Sequence, residues 1–211
     1  MNRVRTVAAL ALAALALTAC GTNQAGSASV VGASSVNDAE VAAAVAEVRG
    51  QLAAVQGAPA FDSATVTARN VERMTRHLLL GAAARDKGIT VTQADVDDII
   101  TGTVTGQFGG ERAKFDLALA EQESVPASAV NDYARDFIVQ RSLRQKLVPG
   151  GTDQAQGEAV TDYLTALSTS LGVTVAPRFG TWDLGTGALG PVPDDLSAPA
   201  AASASPSPAA S

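Results

Sequence analysis

Few side chains in this chain could do chemistry. Cys20 is the only cysteine of 211 residues, so an internal disulfide and a cysteine-based zinc site are both excluded. His77 is the only histidine, and any Ser-His-Asp or Cys-His mechanism would have to pass through it. Its neighbours in sequence are Arg76 and Leu78, with no Asp or Cys beside it, so it reads as a surface or boundary histidine. Asp95, Asp97 and Asp98 cluster at the start of a helix, where the helix dipole favours negative charge. A calcium site would need more oxygen ligands on a turning loop, and no metal or cofactor is expected. The run Gly106-Gln107-Phe108-Gly109-Gly110 lacks the strand, spacing and lysine of a phosphate-binding loop.

Cys20 remains, and its context is an address. Arg3 and Arg5 precede an apolar run from Val7 to Leu17 that is short for a bilayer span and of signal-peptide length. Leu17-Thr18-Ala19-Cys20, followed by Gly21, resembles a bacterial lipobox. Its cysteine would be lipidated and become the mature N-terminus, anchored by acyl chains at about 0.8 kcal/mol per buried methylene. Residues 1–19 are thus expected to be a signal peptide and residues 20–29 a small, polar tether. The expected location is the outer face of the cell membrane. The chain carries a net charge of −6, and without Arg3 and Arg5 it stands at −8. Such a balance offers no footprint for nucleic acid and no basic patch for anionic lipid.

The elements that follow are helical in pattern. Hydrophobic residues make up 46% of the chain but aromatics only 4%, which suits closely packed helices with a thin core rather than a β-sandwich. Val41, Val45, Val48, Leu52 and Val55 recur at four and three, behind a cap at Asn37 or Asp38. A second helix starts near Asp62-Ser63, carries Val71, Met74, Leu78 and Ala82 inward, and stops at Lys87-Gly88. Thr92-Gln93-Ala94-Asp95 resembles a capping box and opens a third helix on Val96, Ile99 and Ile100, ending in the glycines from Gly106. Residues 111–122 bring Phe115, Ala118 and Leu119 to one side. Pro126 opens a fifth helix with Val130, Tyr133, Ala134, Phe137 and Ile138 facing the core, stopped by Pro149-Gly150-Gly151. A sixth, from about Gln154, carries Val160, Leu164, Leu167 and Leu171 to Gly172. Val30-Val31 and Val173 to Val175 could pair as a ribbon, with Gly32 to Ser35 as a turn. The expectation is an all-α fold of about six helices with a small two-stranded β ribbon, spanning residues 30–183. Residues 184–211, Gly- and Pro-rich and then Ala/Ser/Pro-rich, are expected to be a disordered tail.

This order of elements resembles the N-terminal domain of the SurA family of envelope chaperones, with kinship to PrsA-type foldase lipoproteins. The residues that carry it are Val30-Val31, Asn37-Asp38-Ala39-Glu40-Val41, Gly88-Ile89-Thr90-Val91-Thr92, Asp95-Val96-Asp97 and Val139-Gln140-Arg141-Ser142-Leu143-Arg144-Gln145-Lys146-Leu147. Pro177-Arg178-Phe179-Gly180-Thr181-Trp182 looks like the returning strand of related members. Family members with isomerase activity insert a parvulin domain between the last two helices, where this chain has only residues 148–153. The resemblance therefore implies a non-enzymatic, chaperone-like module that binds unfolded or extended polypeptides. The alternative is an adaptor lipoprotein with one fixed protein partner. Phe108 and Phe115 are the candidate client-binding residues, Phe108 serving either as a buried staple or as an exposed contact on its glycine-flanked loop. Trp182 and Phe179 are expected to pack against the helices.

Overall fold

The computed structural model describes residues 26–55 and 60–193. Six helices form the body: α1 (Asp38–Ala53), α2 (Ser63–Asp86), α3 (Gln93–Phe108), α4 (Arg112–Glu123), α5 (Val130–Leu147) and α6 (Asp153–Leu171). Five short strands accompany them: β1 (Ser27–Val31), β2 (Ser34–Asn37), β3 (Thr174–Val175), β4 (Trp182–Asp183) and β5 (Ala188–Leu189). The helix starts are chemically specified. Asn37 caps α1 with a reciprocal box, its Oδ1 accepting from Glu40 N at 2.9 Å while Glu40 Oε2 accepts from Asn37 N at 2.9 Å. Asp62 caps α2 by accepting from Ala64 N and Thr65 N, and Thr92 with Asp95 forms the box of α3. Each such cap stabilises its helix by about 1 kcal/mol.

The terminal segments do meet. β1 pairs antiparallel with β3, Ser29 opposite Val175 and Val30 opposite Thr174. The sheet is nevertheless three-stranded, in the order β2-β1-β3, because the stretch read as a turn supplies a strand. Only Gly32 (φ 59°) and Ala33 turn, so Ser34 comes opposite Val31. Gly32 N donates to Leu171 O at 3.0 Å, tying the hairpin to the end of α6. The folded body also continues past residue 183, because β4 and β5 form a second hairpin. Trp182 anchors it, buried, with its Nε1 donating to the buried Ser168 Oγ at 2.9 Å.

Three further details depart from the helix patterns. α2 buries Val66, Asn70, Val71, Thr75, Leu79, Leu80 and Ala83, wider than the single line through Met74 and Ala82, because other elements enclose it on several sides. α3 ends inside the glycine run expected to stop it, but towards its far side. It runs through Gly102 and Gly106 to Phe108 and closes on the left-handed Gly109 (φ 62°), carried by Val96, Ile100 and Val104 at four-residue spacing. Two interior glycines, at about 1 kcal/mol each against alanine, are outweighed by that buried stripe. On α5 the buried stripe is Val130, Ala134, Val139 and Leu143, and Phe137, expected in the core, is 56% exposed.

Leu80, fully buried among Ala83, Val139, Leu143 and Val160, should lose about 2–5 kcal/mol of stability as Leu80→Ala. Phe137→Ala should change it by less than about 1 kcal/mol. Urea midpoints of the two variants check both values.

Candidate functional site

The site lies along the seam between α2 and α5. Asn70, fully buried, donates from Nδ2 to Val66 O at 2.9 Å and to Ser124 O at 3.0 Å. One turn on, Arg73 Nη2 donates to Asn70 Oδ1 at 3.0 Å, while its buried Nε has no hydrogen-bond partner. Another turn on, His77 Nδ1 lies 2.8 Å from Asp136 Oδ1 of α5. The hydrogen bond to Asp136 raises the His77 pKa above its ordinary 6.5, against the opposing effect of burial. Burial pushes the Asp136 carboxyl up, and the hydrogen bond from His77 pulls against it. Burial lowers the pKa of Arg73, with Asp136 and Asp132 opposing the shift.

A groove opens on each side of this seam. The first, of about 390 Å³, runs between α1, β2 and the start of α5. Its apolar surface is made by Val36, Ala44, Met74, Leu78 and Ala129, and Glu40, Glu47, His77 and Asp132 stand around it. Glu47 also fastens its far wall, accepting from Ser128 N at 2.9 Å and from Ser128 Oγ at 2.6 Å. Beside it Gln51 accepts from Ala127 N at 3.2 Å. A 3-10 turn (Ala127–Ala129) leading into α5 is thus capped by side chains of α1, which fixes the groove's width. The second groove, of about 560 Å³, lies along the other side of α2 and α5, with Arg69, Glu72, Arg73, Arg76 and Asp136 among its lining residues and Phe137 beside them.

The sequence candidates fall elsewhere. Phe115 is buried in a cluster with Val96, Ile100, Val104 and Val125. Phe108 packs on it edge to face at 5.4 Å between ring centres, at the end of a helix and not on a loop. Neither lines either groove. Cys20, the lipidation candidate, lies outside the described residues. Asp95 acts as a cap, accepting from Thr92 N at 2.7 Å. Phe179 and Trp182 both join core clusters. Among the described residues no group of three or more His, Cys, Asp or Glu is placed to hold a metal ion, and no helix is long and apolar enough to cross a membrane. The residues missed from sequence are Arg73, Asp136 and Phe137. Asp136 stands 59 positions from His77, a pairing no local spacing announces.

A family model described as the SurA-like N-terminal domain matches residues 3–143. The chain belongs to that family. No curated protein and no solved structure matches it. The SurA N-terminal domain is the non-catalytic part of its chaperone family, and the matched span contains α1 to α4 and most of α5, hence both grooves' principal walls. Residues 148–152 join α5 directly to α6, in a turn closed by Gly151 N donating to Val148 O at 3.2 Å and Gln156 Nε2 donating to the same oxygen at 3.1 Å.

The His77–Asp136 pair makes stability pH-dependent with a defined sign. Folding raises the His77 pKa, so its contribution is complete below the unfolded value of 6.5 and is lost as pH rises through the higher folded value. The urea midpoint should therefore fall across that window in the native chain. In His77→Gln, measured over the same pH series, this step should disappear.

Proposed function

We propose that this SurA-like domain is a membrane-anchored, extracytoplasmic lipoprotein that binds unfolded or extended polypeptides of the envelope or secreted pool without catalysing a reaction on them. The observation that carries the reading is the first groove, an apolar trough of about 390 Å³ open to solvent, in a family whose relation is to chaperones. Val36, Ala44, Met74, Leu78 and Ala129 offer a client's side chains a place to leave water, at about 25 cal/mol per Å² of apolar area. A trough this small and open to solvent favours weak and sequence-tolerant contacts. The acidic residues around it and the net charge of −6 keep the protein soluble between binding events. Attachment is assigned to Cys20, whose acyl chains would hold the folded body beside the membrane where exported chains emerge. A single fixed partner is the second reading, and the bare phenyl ring of Phe137 is the observation that favours it.

The detergent-solubilised full chain, at stoichiometric excess, should slow aggregation of a chemically denatured model substrate. Ala43 is exposed on the groove wall, and Ala43→Trp should fill the groove, leave the unfolding midpoint nearly unchanged and remove most of the protection. Light scattering reads the result, and equal protection by native and Ala43→Trp chains would sink the groove assignment. For the anchor, Cys20→Ser should move the protein from the membrane fraction to the soluble fraction and abolish labelling by radioactive palmitate.

A further inference from the structure

The second groove differs from the first in gathering three arginines, of which Arg73 also borders the first. Three arginines of α2, Arg69, Arg73 and Arg76, line it with three carboxylates, Glu72, Glu123 and Asp136. Two of those carboxylates are already engaged. Glu72 Oε1 pairs with Arg76 at 3.0 Å and its Oε2 accepts from Leu189 N at 3.3 Å, while Asp136 pairs with His77 at 2.8 Å. Among the described residues, Arg69 and Arg73 have no carboxylate at ion-pair distance. Arg69 Nη1 donates to a backbone carbonyl, that of Gln122, at 2.8 Å. Arg73 makes one hydrogen bond, to Asn70, and holds a buried Nε–H with no acceptor. A guanidinium carries five donors, so both have capacity left, and at four residues apart on one helix they are neighbours on the same face.

Arg73 bears a cost here, since its buried Nε–H loses hydration without return, whereas Arg69 is exposed. The same groove presents Phe137, the most exposed of the large hydrophobic side chains among the described residues at 56%. A carboxylate would accept charge-assisted bonds from the Arg69 and Arg73 donors that face the groove, and an apolar neighbour would cover the ring.

We propose that the α2/α5 groove is a binding site for an acidic side chain of an extended client polypeptide, with the carboxylate on Arg69 and Arg73 and an adjoining apolar residue on Phe137. The inference rests on the polypeptide-binding reading above and adds a chemical preference to it. The first groove accepts apolar side chains of any order, and the second selects chains in which an Asp or Glu adjoins an apolar residue. Glu123, which has no ion-pair partner among the described residues, opposes the incoming carboxylate and limits its affinity.

The test uses fluorescence anisotropy with the detergent-solubilised full chain and two capped, fluorescein-labelled Gly/Ser peptides, one with a central Asp-Leu-Asp and the other with Asn-Leu-Asn. The acidic peptide should bind about tenfold more tightly, and raised salt should shrink the difference. Arg69→Gln, at an exposed position, should abolish most of the difference without loss of fold, and Arg73→Gln should do the same. Phe137→Ser should weaken the acidic peptide, and Glu123→Gln should tighten it. Equal affinities for the two peptides would overturn the carboxylate preference while leaving polypeptide binding intact. A preference that survives Arg69→Gln would overturn the site. Binding of neither peptide would count against the polypeptide reading itself. A chain ending at Pro193 that binds the acidic peptide about tenfold better than the full chain would also overturn the proposal, because the protein's own Asp194 and Asp195 would then be the occupant.

Discussion

Helix α2 passes through the interior of the domain, packed against α1, α5, α6 and the strands β1, β2 and β5, yet its sequence is not apolar. It carries Asn70, Thr75, Arg73 and His77 into contact with its neighbours, and each needs a partner once water is removed. The partners are what lock the other elements in place. Asn70 holds the carbonyl of Ser124, and Arg69 that of Gln122, which fixes the end of α4. Thr75 Oγ1 shares a 2.7 Å hydrogen bond with Ser29 Oγ, both residues fully or almost fully buried, which fixes β1. His77 takes Asp136, which fixes α5. Apolar burial alone would let these elements slide along α2, whereas hydrogen bonds of specified direction leave one arrangement.

The same polar seam divides the accessible surface. Because Arg73, His77 and Asp136 occupy the line where α2 meets α5, the space between the helices is two grooves of different character. The trough on the α1 side has an apolar base whose width is set by Glu47 and Gln51 capping the opposite wall. The channel on the other side is charged. In a chain of the SurA-like N-terminal domain family, this pairing suits a binder that recognises a general feature of unfolded chains, exposed apolar side chains, and adds a narrower electrostatic preference.

Local rules account for most of what was legible in the sequence. The caps at Asn37, Asp62 and Thr92 are short-range hydrogen-bond patterns, and the stops at Gly88, Gly109 and Gly172 are left-handed positions that glycine takes without strain. Val30 and Val175 announced a strand pairing because β-branched residues sat at both ends of a helical body. Legibility fails where tertiary contact decides. The periodicity of α5 admitted Phe137 to the core, but the inward stripe runs through Val130, Ala134, Val139 and Leu143, which leaves Phe137 outside it. Phe108 read as a loop residue because two glycines precede the end of α3, yet the Val96, Ile100 and Val104 contacts carried the helix through them. The site was the least legible part, since Arg73 and Asp136 look like ordinary surface charges until the fold brings them to one groove.

The central claim is that the α1-side trough holds unfolded polypeptide. A photoreactive p-benzoylphenylalanine at position 43, on the wall of that trough, tests it most directly when compared with the same residue at the exposed position 141, which lines neither groove. Irradiated with a purified, denatured model substrate, the position 43 protein should crosslink to it strongly and to the same substrate in its native state hardly at all, while position 141 should give only background. Equal crosslinking from both positions, or none from position 43, would contradict the account.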